Sequence, residues 1–175
     1  MFAIPTIEAE RLRLRPPRLD DFDAYVRMWQ EPGVVRFIGG APFTREQSWG
    51  RFARHIGLWS LLGFGYFVIE LKATGEFAGC CGFQDQRRDL TPSLEGTMEA
   101  GWALTTAMQG QGLAQEAMRA AIGWGDAHGR GERMTALIDV DHAASLRVAD
   151  KLGFTEFART AYAGKPVVLL ERRRR

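Results

Sequence analysis

The chain has 175 residues, enough for one domain with a sizeable core and too few for two of ordinary size. Hydrophobic residues make up 46% and charged residues 25%, and no run approaches the roughly 18 apolar residues of a membrane helix, so a soluble globular protein without a membrane partner is expected. Net charge is +2, yet Arg172 to Arg175 alone carry four positive charges, so the body is slightly acidic. The excess sits in a terminal tail expected to fray, and nucleic acid is not an expected partner.

The first residues, "MFAIPTIEAERLRLRPP", lack the basic head, apolar run and small-residue cleavage site of a secretory signal, and a cytoplasmic location is the expectation. The only cysteines, Cys80 and Cys81, are neighbours; they cannot staple distant segments and lack the spaced partners of a zinc site, so no metal is expected.

In chain order, "ERLRLRPP" (10–17) alternates leucine with arginine and reads as a strand with one wet face. Asp20 or Asp21 then opens a helix through about Gln30, with Phe22, Tyr25, Val26 and Trp29 at helical spacing. "EPGVVRFIGGAPF" reads as a loop. Thr44 with Gln47 three residues on resembles a capping box, opening a helix that carries Trp49, Phe52, Ile56 and Trp59. "YFVIEL" (66–71) and "FAGCCGF" (77–83) read as a hairpin, and "GTMEAGWAL" (96–104) as a further strand. A helix from about Gly112 to His128, a strand at 133–140, a short helix from Ala143 to Lys151 and a strand at 166–171 complete the list. A hairpin meander thus precedes one strand, helix, strand crossover.

The stretch "TTAMQGQGLAQEAM" (105–118) places two glycines just before a helix. A nucleotide P-loop would need Gly-Lys-Ser/Thr, and the only lysines after Lys72 are Lys151 and Lys165. The dinucleotide fingerprint fits Gly110 and Gly112 but finds Gln115 at its third glycine, with too little chain left for a doubly wound sheet. A third pattern, Gln109-x-x-Gly112-x-Ala114, would let successive backbone N–H groups and a helix start face one anion without any lysine.

That third pattern resembles the acetyl-CoA pyrophosphate loop of the GNAT superfamily of N-acetyltransferases. "TIEAERLRLRPPRLDDF", "MEAGWAL" and "DHAASLRVADKLGF" (141–154) are similar to segments of its ribosomal-protein N-terminal acetyltransferase (RimJ/RimL-like) branch, in the family's order from about residue 6 to 154. The resemblance implies an α+β fold in one domain over residues 1–175, with 172–175 as a basic tail. Its mixed, mostly antiparallel sheet would be flanked by helices and splayed between the family's fourth and fifth strands. Acetyl-CoA would be the cosubstrate, with Trp102, Ala103 and Leu104 along its pantetheine arm and Gln109, Gly110, Gln111, Gly112, Leu113 and Ala114 around its pyrophosphate.

The implied reaction is direct attack of a free amine on the thioester, without an acyl-enzyme. It needs a neutral amine, a stabilised oxyanion and a proton for the thiolate. Glu99 matches the branch's glutamate and is the candidate base, through water; an ordinary strand salt bridge is the other reading. Ser145 matches a serine placed beside the CoA sulfur and is the candidate acid, against a helix-start cap. The tyrosine many relatives carry is replaced by Ala149, and His142 stands where the branch has asparagine beside the pantetheine. Val35, Arg36 and Phe37 would border the acceptor, the α-amine of a peptide or protein or a small-molecule amine. A homodimer stays open, and a non-catalytic acyl-CoA-binding or interaction module on the same fold is the alternative.

Overall fold

The computed structural model describes residues 4–129 and 131–174. Eight strands form one sheet in the order β1-β2-β3-β4-β5-β6-β8-β7: Ile7–Glu8, Leu12–Arg15, Tyr66–Leu71, Phe77–Gln84, Met98–Leu104, Arg133–Asp139, Thr155–Tyr162 (β7) and Lys165–Arg173 (β8). Every neighbouring pair is antiparallel except β5 and β6. This is the one-domain α+β arrangement, a mixed and mostly antiparallel sheet flanked by helices, that the resemblance implies. Because the short β1 precedes the strand expected first, the expected fourth and fifth strands are β5 and β6.

Both faces of the sheet are covered, which explains the unbroken apolar run "FAGCCGF". Side chains alternate along a strand. Cys81 accordingly joins the core under α4 (Leu113–His128), while Cys80 joins the core beneath α1 (Phe22–Gln30), α2 (Pro32–Val35) and α3 (Arg45–Leu62). Leu113, Ala117 and Ala121 of α4 face the first core at the expected helical spacing. The α3 start is the expected capping box: Gln47 N–H donates to Thr44 Oγ1 at 3.1 Å and Thr44 N–H to Gln47 Oε1 at 2.9 Å. A final helix, α5 (Ala143–Lys151), packs beside β6.

Four local expectations are corrected. "TEFARTAY" is strand β7, unexpected because it forms the sheet's edge and buries no residue fully. Pro32–Val35 is one helical turn, started by a proline whose fixed φ suits a first helical position. The wet face of β2 is dry at one end, where Asp21 and Glu70 draw Arg15 inside. The arginine tail does not fray over its described part: Arg172 and Arg173 belong to β8, Arg172 donates to both Asp126 oxygens at 2.9 Å, and Arg174 donates to the carbonyls of Asp126, Gly129 and Gly131. Arg175 lies outside the described residues.

Among the described residues, no helix is long and apolar enough to cross a membrane.

Candidate active site

The site is made by the one parallel junction. β5 and β6 are in register only at Met98 with Met134 and Glu99 with Thr135, where the Thr97 and Thr135 hydroxyls also meet at 2.7 Å. Beyond Glu99 the strands part, although β5 stays paired to β4 as far as Leu104. Thr105 N–H donates to Ala78 O at 3.0 Å, so the alternation of an antiparallel ladder turns the backbone groups of Ala103 toward β4 and those of Trp102 and Leu104 toward the gap. The Leu104 carbonyl is taken by the Gln109 side-chain amide at 3.1 Å, which leaves the Trp102 and Leu104 N–H groups on the open edge.

A cleft of about 260 Å³ runs from this edge to the start of α4. Gly110 and Gly112 hold φ of 76° and 78°, left-handed values that a side chain resists, and Gly112 is the N-cap of a 16-residue helix with no side-chain cap. The first N–H groups of α4 therefore lack a capping acceptor, and the positive end of the helix dipole faces the cleft. The loop is braced from outside. Arg11 donates to the Gln111 carbonyl at 3.1 Å, while its own backbone N–H and Nε reach the two Glu116 oxygens at 2.7 Å.

Of the expected cofactor residues, Trp102, Ala103, Leu104, Gln109, Gly110, Gly112, Leu113, Ala114, His142 and Ser145 line this cleft. Gln111 does not; its side-chain amide bonds back to Ala107 O at 2.9 Å. A donor-lined loop at the end of an apolar groove suits a pyrophosphate on an organic arm, so the residues present fit CoA.

A second, larger cavity of about 440 Å³ opens on the other side of the splay. The two share Ile38, Trp102, Ala103, His142 and Ser145, which marks where an arm in one would meet a molecule in the other. Ser145 lies in the first turn of α5, and among the described residues its hydroxyl has no hydrogen-bond partner. His142 stacks on Phe37, ring centroids 4.4 Å apart and planes 17° apart. Burial holds the His142 pKa below the ordinary imidazole value, against the opposing pull of Asp139, so the ring is neutral at pH 7.

The residues expected around the acceptor divide. Phe37 lines the larger cavity, whereas Val35 is buried in the core beneath α1 and Arg36 is exposed with its guanidinium over the Phe37 ring. Val35 is an internal packing residue because the turn of α2 points it inward. Glu99 is on the cavity wall and only 4% exposed. Arg88 grips both its oxygens at 2.8 Å, and Gln84 donates to Oε1 at 2.9 Å. Oε1 is thus filled and Oε2 keeps one lone pair.

Several lining residues carried no sequence signal strong enough to single them out: Arg51 and Arg54 from α3, Tyr66 from β3, Arg88, Tyr162 and Lys165. Tyr66 stacks on His55 at 4.0 Å, and its hydroxyl packs where a Cβ at Gly101 would stand. Burial raises the Tyr66 pKa, and it pushes the Cys80 thiol on the same wall up to about 12, so neither is ionised at neutral pH.

Comparison with known proteins agrees with this geometry. A family model described as the acetyltransferase (GNAT) domain matches residues 11–155. A structure described as a GNAT-family acetyltransferase from Bordetella pertussis is 33% identical, covering 97% of this chain and 99% of that one with a TM-score of 0.86. An acetyltransferase from Agrobacterium tumefaciens is 28% identical, with coverage of 98% and 96% and a TM-score of 0.84. Among curated relatives, the N-acetyltransferase p20 of Bacillus licheniformis is 29% identical over 85% of this chain and 82% of its own. The splayed junction, the glycine loop at the head of α4 and the match over most of the chain lead to one conclusion: this protein belongs to the GNAT family of acetyltransferases and is an N-acetyltransferase.

Proposed function

We propose that the chain transfers the acetyl group of acetyl-CoA to the α-amine of a peptide, protein or small molecule by direct attack, as a cytoplasmic member of the RimJ/RimL-like branch. The single observation that carries this reading is the meeting of the two cavities at Trp102, Ala103, His142 and Ser145. The fold of the ribosomal L7/L12 alpha-N-protein acetyltransferase RimL, described in complex with coenzyme A, is shared at 19% identity and a TM-score of 0.78. The branch itself rests on the sequence segments 6–22, 98–104 and 141–154.

The thioester supplies an activated acetyl group; the chain's own residues position, polarise and move protons. Gln109 to Ala114 and the α4 start would hold the pyrophosphate, and Trp102 to Leu104 the arm. The Trp102 or Leu104 N–H on the open edge of β5 would donate to the developing oxyanion, a donor fixed in advance by the ladder to β4. The free hydroxyl of Ser145 would return a proton to the departing sulfur. Glu99, through its remaining Oε2 lone pair and a water, would accept the proton of the amine.

With both Oε1 sites taken by Arg88 and Gln84 and one Oε2 site by Arg88, Glu99 has a single place left to take up a proton. That favours an α-amine, whose pKa near 7.7 to 8.0 leaves a sizeable neutral fraction at pH 7, over a lysine near 10.4. The test is release of free CoA thiol on addition of amines, with Glu99→Gln as the probe of chemistry. The variant is expected to lose turnover most steeply below about pH 7, where the amine is protonated. An unaltered pH–rate profile removes Glu99 as base, and CoA binding without turnover on any amine favours the non-catalytic module.

A further inference from the structure

The larger cavity has an unbalanced wall. Its cations are Arg51, Arg54, Arg88 and Lys165; its carboxylates are Glu99 and Asp139. Arg88 and Glu99 neutralise each other, and His142 is neutral. Arg51, Arg54 and Lys165 then face Asp139 alone, and among the described residues none of the three forms an ion pair with a carboxylate. An arginine normally leaves water only when paired. Here Arg51 is half-buried, its guanidinium carbon 4.3 Å from the Trp29 ring centroid and 5.6 Å from that of Phe43, so two aromatic faces hold it in position with no counter-charge.

A second observation is independent of the charge count. Arg51 Nε and Trp29 Nε1 are buried donors without a hydrogen-bond partner, and both residues line this cavity. Unmet buried donors are rare in folded proteins, and two of them belong to residues of this one wall. Lys165, the first residue of β8, brings its ammonium beside Gly40, next to the lining residue Gly39, so the positive groups come from both the helical side and the sheet side of the cavity.

We propose that the acceptor is an anionic amine: an α-amine carrying a carboxylate, bound with the carboxylate toward Arg51, Arg54 and Lys165 and the amine toward Ser145 and the splay. This rests on the acetyl-transfer reading and adds the charge of the substrate to it. The cavity, at about 440 Å³, falls in the range of small-molecule sites and admits an amino acid or the first residues of a peptide. Polycationic amines would meet uncompensated positive charge and are disfavoured.

The test measures kcat/KM at saturating acetyl-CoA for peptides matched in size that open on Glu, Gln or Lys, for free glutamate against its carboxylate-free counterpart glutaminamide, and for a polycationic aminosugar. The Glu-containing acceptors should exceed their Gln or glutaminamide counterparts by about tenfold, the Lys peptide and aminosugar should fall below both, and added salt should erode the order. Arg54→Gln, at an exposed position safe for folding, and Arg51→Gln should each pull the Glu/Gln ratio toward one, with CoA affinity by calorimetry as the control for an intact fold. Turnover of free glutamate marks a small-molecule acceptor, and turnover of the Glu peptide alone marks a protein N-terminus; either supports the proposal. Equal or better turnover of the cationic amines, or a Glu/Gln ratio untouched in both variants, overturns it while leaving acetyl transfer standing. Calorimetric binding of the N-acetylated Glu and Gln peptides reads the same preference without catalysis, so a failure of the acetyl-transfer reading shows separately as absent turnover on every amine.

Discussion

Two groups of inward arginines make opposite use of charge. On the β2 side, Arg15 donates to both Asp21 oxygens at 2.8 and 2.7 Å and to Glu70 at 2.5 Å, and every member of the trio is nearly out of water. On the cavity side, Arg51 lies over two aromatic rings, and among the described residues neither it nor the more exposed Arg54 pairs with a carboxylate. The first group is closed: its charges satisfy one another and fix how β2, β3 and the turn before α1 meet. The second is open, and its compensation has to arrive with a ligand. Burial of charge therefore separates architecture from recognition only when the partners are counted.

The sharpest way to break this contrast is Arg15→Met. It strands the buried Asp21 and leaves Glu70 only the half-exposed Arg13, and the unfolding free energy measured in denaturant should fall by about 3 kcal/mol. Next in size, Ala114→Glu puts a carboxylate into the cleft at the head of α4, where it suits the helix dipole but repels a pyrophosphate. CoA affinity by calorimetry should drop at least about a hundredfold with little change in melting temperature.

A smaller effect concerns pH. The hydrogen bond from Arg15, opposed by burial, holds the Glu70 carboxyl below its ordinary value. A lowered folded-state pKa gives stability that is present above the unfolded value and is lost as pH falls through the folded one. Stability should thus decline below about pH 4, and Glu70→Gln should flatten that limb in denaturant titrations from about pH 5 to pH 3. The smallest change is expected for Arg51→Met. With no ion pair to lose, it should move stability by no more than about 1 kcal/mol, the scale of its aromatic contacts. A loss as large as that of Arg15→Met would mean the open group is structural after all.

How far the sequence could be read follows the same division. Thr44 and Gln47, or Gly112 before "LAQEAM", announce their structure through contacts a few residues apart. The eight-stranded sheet is harder, since β7 offers only partly buried residues and no clean alternation. The proposed CoA cleft is legible because its loop is contiguous, 109–114, and because the neighbouring segments resemble a family in order. The acceptor wall is not. Arg51 and Arg54 lie on a helix with buried Phe52 and His55 between and beside them, Arg88 comes from a loop, and Lys165 from the start of β8 nearly eighty residues further on. Only the tertiary fold gathers such residues, and only their lack of partners makes them informative. Glu99 shows the middle case: its strand position and the choice between base and salt bridge were readable, the identity of Arg88 as its partner was not.

The junction of β5 and β6 has one more consequence, in amide exchange. A single strand carries both regimes. Glu99 sits between two ladders, while the N–H groups of Trp102 and Leu104, three and five residues on, face a gap. Their protons should be traded for deuterium orders of magnitude faster than those of Ala103, whose N–H is locked to β4. Bound CoA should slow the exposed pair selectively, so that alternate residues of one strand report occupancy of the cleft without any measurement of catalysis.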